Sequence, residues 1–167
     1  FNPHMYLTFP LPLSLGCESS YECVDLKMVQ AVDPQEVVGR LNPCLPPDIQ
    51  VFRAAAPQMD QKEIAWADYE MQLAGGEDFA EKLEEYQPAI MVVKKTKKGE
   101  KEIDIRPHFS VQKLEVRDSG VYATMRFATG IELNINPTLL LDNAPFLLRV
   151  ISLKRVMVYN KELQPFC

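Results

Sequence analysis

The sequence predicts an α+β protein made of two tandem ferredoxin-like units with antiparallel sheets, the first lacking its opening strand and helix. Two observations predict this class. Apolar and polar residues alternate in segments bounded by turn residues, and short stripes with helical spacing separate those segments. From residue 58 onward the order is β-α-β-β-α-β with one hairpin inserted, which is the ferredoxin-like order. The predicted boundaries are 1–57 for the incomplete unit and 58–167 for the second.

The first unit is predicted to contain two early strands. Residues 5–9 alternate in polarity, and Pro10 and Pro12 then remove the amide donors that a longer ladder would need. Residues 21–29 alternate as well. Their mostly buried face would carry Glu22, Val24, Leu26 and Met28, and their solvent face Tyr21, Cys23, Asp25 and Lys27.

A helix is predicted to start at Asp33-Pro34-Gln35-Glu36. Asp33 can accept the free amides, Pro34 suits the first helical position and Glu36 completes a box-like cap. Residues 37–41 give the apolar stripe, and residues 49–56 are predicted to form the next strand. Because this unit lacks a strand and a helix, we expect upstream residues to supply them and to cover its open sheet edge.

The second unit is predicted to begin with a strand at 66–73, followed by Gly75-Gly76 and an acidic helix at 77–86. Two hairpins come next: 89–96 with 100–106, and 111–116 with 121–128. A short helix from Asn136-Pro137 to residue 141 and a strand at 148–159 complete the unit. These elements together predict one antiparallel sheet covered by helices.

Composition narrows the class of function. The chain has 18 Lys plus Arg against 23 Asp plus Glu, and a net charge of -5 argues against a surface that is basic throughout. The cysteines, Cys17, Cys23, Cys44 and Cys167, lack the spacing of zinc or cluster ligands, and free thiols are predicted. No apolar run has the length of a membrane span. We therefore expect a cytoplasmic protein without a cofactor and without membrane contact.

One hairpin concentrates basic residues. It carries Lys94, Lys95, Lys97, Lys98 and Lys101, with Arg106 at its far end. Lysines on a projecting hairpin can contact phosphates, but lysines also protect exposed strand edges from aggregation. No aromatic residue lies between them, so base stacking is not predicted there. Both interpretations, an RNA contact and a solvated edge, stay open from the sequence.

Asp104 and Arg106 are predicted to share one face of their strand, either as a structural ion pair or as a recognition pair. His4 and His108 each adjoin a proline-marked turn. A histidine can act as a general base, but the sequence supplies no partner for it, and a turn-stabilising hydrogen bond is the favoured interpretation. Cys17, Cys23 and His4 lack specific metal-ligand spacing, so no metal site is predicted.

The segment FNPHMYLTFPLPLSLG, the pair Asp68-Tyr69 and the motif EIDIRP at residues 102–107 resemble the radical-SAM-linked bacterial family. The resemblance implies a partner of, or an extension on, cobalamin-type radical-SAM proteins, near RNA metabolism, and no particular reaction. It makes Asn2, His4 and Asp104 the recognition candidates. The family usually continues Asn-Pro-His with Pro and a basic residue, where this chain has Met5 and Tyr6. Tandem ferredoxin-like units are also similar to CRISPR repeat-processing endoribonucleases, by architecture alone.

Three functions follow as hypotheses. The first is a non-catalytic module that binds RNA or presents it to a radical-SAM partner. The second is a protein-interaction domain of such a system without RNA contact, and the third is an RNA-processing enzyme that depends on His4 or His108. The first two are favoured because the sequence shows no catalytic constellation. The oligomeric state is not predicted.

Overall fold

The computed structural model describes residues 6–74, 78, 81–82, 90–96, 99–117, 120–131, 133–143 and 149–166. These residues form an α+β protein dominated by strands. The strands are β1 (Leu7–Thr8), β2 (Glu18–Ser19), β3 (Asp25–Leu26), β4 (Ile64–Ala74), β5 (Met91–Thr96), β6 (Gly99–Asp104), β7 (Phe109–Arg117), β8 (Gly120–Ala128) and β9 (Arg149–Asn160), and the helices are α1 (Pro34–Leu41) and α2 (Pro137–Asn143). Short 3-10 turns occupy Asn42–Cys44, Gln61–Glu63 and Arg106–His108.

The main sheet has five strands in the order β2-β9-β4-β8-β7. The contacts of β4 with β8 and β9, and of β7 with β8, are antiparallel, whereas β2 adds to β9 in parallel. Two smaller antiparallel sheets pair β1 with β3 and β5 with β6. The predicted mixture of helices and largely antiparallel strands is therefore confirmed. The tandem arrangement of two ferredoxin-like units and the boundary at residue 57 stay predictions.

One face of the main sheet forms the core. Tyr69, Met71 and Leu73 of β4 are buried on it, as their alternation predicts, and Phe127 of β8 is fully buried among them. Tyr69 meets Phe127 edge-on with ring centroids 5.9 Å apart, and Phe109 stacks on Phe127 at 5.7 Å. Helix α2 adds buried leucines to the same cluster. The packed aromatic rings therefore tie three adjacent strands together.

The hairpin of β7 and β8 is confirmed close to its predicted limits. Gly120 begins β8 with a φ of 124°, a conformation that strains any other residue. A Cβ at this position would also collide with the backbone oxygen of Leu73. This glycine is therefore required both by the turn and by the close approach of β4.

Two predictions in the first unit are wrong. Only Asp25–Leu26 of residues 21–29 is a strand, and the predicted alternation of faces is lost. Val24 and Met28 are 40% and 49% exposed, and Tyr21 and Cys23 pack against the core, whereas Lys27 is exposed as predicted. Residues 49–56 form no strand, although all of them are described. Alternation favours a strand only where a neighbouring strand can pair with it, and β1 and β3 share only two residue pairs.

Helix α1 starts as predicted, because the Asp33 carboxylate accepts the Gln35 amide at 2.7 Å. Glu36 does not complete a capping box. Its carboxylate instead accepts a hydrogen bond from Arg40 at 3.3 Å, one helical turn onward. Most of the acidic helix predicted at 77–86 lies outside the described residues. Within it, the Lys82 amide donates to the Asp78 carbonyl at 2.9 Å, as in a helix.

Candidate nucleic-acid interface

The basic hairpin forms a sheet of its own, made of β5 and β6. Lys94 and Lys101 are directly opposite each other in its antiparallel register, and Lys95 is opposite Glu100. Direct cross-strand partners share a face, so the charges of Lys94 and Lys101 lie on one side of the hairpin. Lys97 and Lys98 lie outside the described residues, and Gly99 opens β6 with a φ of 119°. The hairpin predicted from the sequence is confirmed.

The hairpin is anchored at its base. Val92 and Ile105 are buried in the core, and the Ile105 amide donates to the Ile90 carbonyl at 2.9 Å. The Lys94 ammonium donates to the backbone carbonyl of Asn134 at 2.7 Å. The base is therefore fixed by packing, whereas Lys101 is exposed.

Acidic residues dilute the charge of the hairpin. Glu100, Glu102 and Asp104 all lie on β6, the strand that also carries Lys101. Val93 is opposite Glu102, and its side chain is largely exposed. Among the described residues of the hairpin, the charges of Lys94 and Lys101 are therefore partly offset by acidic residues of β6.

The predicted side-chain pair of Asp104 and Arg106 does not form in the described structure. Strand β6 ends at Asp104, and Arg106 begins a 3-10 turn, so the two residues do not share a strand face. The Asp104 carboxylate accepts two backbone amides, from Ile90 at 2.9 Å and from Arg106 at 3.0 Å. Backbone amides in reach satisfy this carboxylate directly. Asp104 therefore stabilises the turn that follows the hairpin.

Arg106 retains hydrogen-bonding capacity. Its guanidinium carbon lies 5.3 Å from the centre of the Phe109 ring, a cation–π contact. Its Nε is buried and has no hydrogen-bond partner in the described structure. An unsatisfied buried donor is uncommon in folded proteins. Because this Nε is buried, a partner at the surface cannot reach it, and leaving it unsatisfied is a cost to the fold rather than a binding site.

Of the remaining candidate site residues, the structure describes only His108. Asn2 and His4 lie outside the described residues. His108 ends the 3-10 turn after Arg106, and its backbone amide donates to the Ile105 carbonyl at 2.9 Å. Because this bond involves the backbone and not the imidazole, the turn-stabilising role of the histidine side chain stays a prediction.

A polar cluster on the main sheet was not predicted. On the face opposite the core, which we call the open face, Arg126 of β8 donates to Asp68 of β4 through Nε at 2.7 Å and Nη2 at 2.8 Å. The Tyr159 hydroxyl of β9 donates to Asp68 at 3.0 Å, and the guanidinium carbon of Arg126 lies 4.6 Å from the Tyr159 ring centre. Alternation along 66–73 signals this face, but the partners come from two distant strands.

Protonation in this cluster follows from its contacts. The hydrogen bonds to Asp68 raise the pKa of Arg126, so the guanidinium stays charged. Burial raises the pKa of the Tyr159 hydroxyl, and its bond to Asp68 adds to that shift. Tyr159 is therefore a neutral donor at physiological pH. The cluster is a fixed arrangement of one cation, one anion and one ring.

A second unpredicted contact joins the first and last parts of the chain. Arg155 of β9 is buried with its side chain 2% exposed, and it donates to Glu22 through Nε at 3.0 Å and Nη2 at 2.7 Å. Nη2 also donates to the Leu11 carbonyl at 2.7 Å. Burial alone would lower the pKa of Arg155, but the bonds and charge of Glu22 outweigh it, and the pKa is raised.

The described ranges contain neither a metal-ligand cluster nor a membrane-spanning helix. Among these residues, no group of three or more His, Cys, Asp or Glu side chains is placed to hold a metal ion. Cys17 and Cys44 are free thiols, as predicted, and Cys167 lies outside the described residues. No helix in the described part has both the length and the apolar character that crossing a membrane requires.

The fold and the basic hairpin define an α+β protein with a largely antiparallel sheet. A model of the family of uncharacterized proteins conserved in bacteria, DUF2344, matches residues 1–137. Since this match spans well over half of the chain, the chain belongs to that family. No curated protein and no solved structure matches it. The radical-SAM linkage implied by the resemblance stays a prediction.

Proposed function

We propose that this protein is a non-catalytic module that binds RNA, or presents it to a radical-SAM partner, through the hairpin of β5 and β6. The observation that carries the proposal is the direct opposition of Lys94 and Lys101 on a two-stranded sheet of its own. Like charges that face each other across strands destabilise a hairpin. A phosphate near both ammonium groups would remove that repulsion. Arg106 lies in the 3-10 turn that follows this hairpin, with its Nε buried.

We further propose that residues 58–167 form a ferredoxin-like unit and that residues 1–57 belong to an incomplete second one. The four long strands follow each other along the chain as β4, β7, β8 and β9. In the sheet they lie side by side in the order β9-β4-β8-β7, so the first and third strands, β4 and β8, occupy the centre. This antiparallel arrangement supports the first part of the proposal, since a β-α-β-β-α-β chain places its first and third strands at the centre. Helix α1 and the ladder of β1 with β3 support the second part.

A second candidate function is a protein-interaction domain without RNA contact. It is favoured by the exposed apolar side chains of residues 6–52, among which Leu15, Val29 and Phe52 are the most exposed. Large apolar side chains clustered at a surface are typical of interaction sites. Co-purification of a radical-SAM protein after nuclease treatment is the outcome that this candidate predicts.

RNA affinity measured at several salt concentrations tests the first proposal. Each lysine that contacts a phosphate releases counterions, so the slope of log affinity against log salt should flatten by roughly 0.7 to 0.9 per lost contact. The test variant is Lys94→Gln/Lys101→Gln, and a variant with all five hairpin lysines changed extends it. The matched control is Lys27→Gln/Lys62→Gln, which removes the same charge from exposed positions elsewhere.

We expect the test variant to bind more weakly with a shallower slope, and the control to behave like the parent. Lys101 is exposed and should change stability by only about 0.5 kcal/mol. Lys94 is half-buried and donates to the Asn134 carbonyl, so its replacement should cost about 0.5–1.5 kcal/mol, which a thermal melt of the variant measures separately from affinity. Equal affinities and equal slopes for test and parent would exclude the hairpin as the RNA contact and leave the interaction domain as the better candidate.

A further inference from the structure

The open face of the main sheet carries aromatic rings. Trp66 of β4 is directly opposite Tyr159 of β9, and Gln72 of β4 is directly opposite Tyr122 of β8. Cross-strand partners point to the same side, and the even spacing from Trp66 to Gln72 places all four side chains on the open face. The three rings are partly exposed, although Trp66 also packs against residues of the core cluster and Asp68 beside it is buried. This side of the sheet is therefore a surface on which flat groups can lie.

The rings are held in fixed positions. Tyr159 is fixed by its hydroxyl bond to Asp68 and by the guanidinium of Arg126. Tyr122 accepts a hydrogen bond from Gln72 at 2.8 Å and lies 4.5 Å from the guanidinium carbon of Arg117. Rings fixed before binding lose little conformational entropy when a ligand stacks on them.

The charges of the open face largely cancel. Asp68 is paired with Arg126, and Lys154 is directly opposite Glu70. At the β7 edge, Lys113 and Arg117 bracket Glu115, and their hydrogen bonds lower the pKa of Glu115 to about 2. Most positive charges named on this face thus already lie near a carboxylate, which leaves few of them to bind phosphates. Binding on this face must therefore come from stacking and hydrogen bonding rather than from counterion release.

From this arrangement we propose that the open face is a base-stacking platform for single-stranded RNA, centred on Trp66 and Tyr159. The inference rests on the proposed RNA-binding function and specifies that the bound RNA is single-stranded. The Lys94–Lys101 pair contacts phosphates and supplies the salt-dependent part of the affinity. The open face contacts unpaired bases and supplies a part that depends little on salt. Single strands are selected because the bases of a duplex are stacked on each other and are not available to a protein ring.

Tryptophan fluorescence reports on this surface directly, because Trp66 is the only tryptophan of the chain. The probe is an unstructured mixed-sequence RNA oligonucleotide, compared with the same strand annealed to its complement. A base that stacks on Trp66 should quench its emission. We expect the single strand to quench and the duplex to leave the emission unchanged at equal occupancy.

Affinity measurements on variants locate the contact. The Trp66→Leu and Tyr159→Leu substitutions should each weaken single-strand binding by roughly 5- to 150-fold, the range found when one stacking ring is removed. Trp66→Phe keeps a ring and should lose much less, which also guards against a general folding defect in Trp66→Leu. The matched control is Phe52→Leu, an exposed ring outside the strands of the main sheet, and it should bind like the parent.

The two proposals fail in different ways. If RNA binds with a steep salt dependence but neither quenches Trp66 nor responds to Trp66→Leu and Tyr159→Leu, the hairpin proposal stands and the stacking platform is wrong. If the aromatic variants lose affinity while the Lys94→Gln/Lys101→Gln variant keeps its salt slope, the platform stands and the hairpin contact is wrong. Equal quenching by duplex and single strand would also overturn the platform.

Discussion

Residues 64–166 and residues 6–60 bury their apolar side chains to very different extents. In the described part, Leu11 is the single buried apolar residue of the earlier stretch, whereas β4, β8 and α2 each bury several. The earlier stretch instead exposes Leu15, Val29, Phe52 and other large apolar side chains. Long strands let the later region pair on both sides and cover one face, while the two-residue strands β1, β2 and β3 cannot.

The earlier stretch is held to the sheet by polar contacts as well as by the packing of Leu11, Tyr21 and Cys23. Glu22 and the Leu11 carbonyl accept hydrogen bonds from Arg155, the Tyr21 hydroxyl donates to the Phe166 carbonyl, and Ser20 donates its amide to the Arg155 carbonyl at 3.0 Å. Three of these contacts are made by Arg155 of β9, and the fourth is made by Phe166, whose amide donates to the Val158 carbonyl of the same strand. Stability should therefore depend on packing in the later region and on a few hydrogen bonds in the earlier one.

The largest expected effect comes from truncating one phenylalanine in each region. Phe127→Ala removes a fully buried ring that contacts two other rings, and should reduce the free energy of unfolding by about 3–5 kcal/mol. Phe52→Ala removes a side chain that is 82% exposed and should change it by no more than about 0.5 kcal/mol. Denaturant unfolding of both variants measures the two changes in the free energy of unfolding. Similar losses for the two would show that residues 6–60 share the core after all.

A smaller effect is expected from Glu22→Gln. The variant leaves the buried Arg155 guanidinium without its full negative partner, which should cost about 1–3 kcal/mol. The cost stays below that of a fully buried pair because Glu22 is 38% exposed and water can replace part of its interaction. Thermal melts measure the loss, and limited proteolysis should cut residues 23–60 earlier than in the parent.

Glu18→Gln is the control for that variant, because it removes the same charge from an exposed position on β2. It should melt like the parent. A Glu22→Gln protein that melts and is cleaved like the parent would mean that packing around Tyr21 and Cys23, rather than the ion pair, holds the earlier stretch.

The smallest effect concerns thiol reactivity within the earlier stretch. Burial raises the pKa of Cys17 above its usual value of 9.0, despite the nearby Arg155, whereas Cys44 is exposed. Since the thiolate is the reactive form, an alkylating reagent at about pH 8 should modify Cys44 several-fold faster than Cys17. The difference should narrow as the pH rises, because more Cys17 then ionises. Peptide mapping by mass spectrometry measures each rate, and equal rates would contradict the burial of Cys17 near β9.

Local patterns in the sequence determined the later region well. The strand limits, the hairpins of β5–β6 and β7–β8, and the start of α2 all follow from alternation, glycine turns and Asn136-Pro137, because such signals act over a few neighbouring residues. The same signals placed the lysines on a hairpin. Local alternation alone did not foresee that residues 49–56 form no strand, since a strand also needs a partner.

Only the tertiary structure decided which distant residues meet. Arg155 lies 133 positions after Glu22, and Asp68, Arg126 and Tyr159 come from three strands that are adjacent only in the folded sheet. Sequence spacing carries no information on such pairs, because the sheet order and register that bring them together are set by the packing of the whole core. Asp104 shows the same limit at short range: two backbone amides brought close by the turn, one of them from Ile90, satisfy its carboxylate in place of the expected arginine.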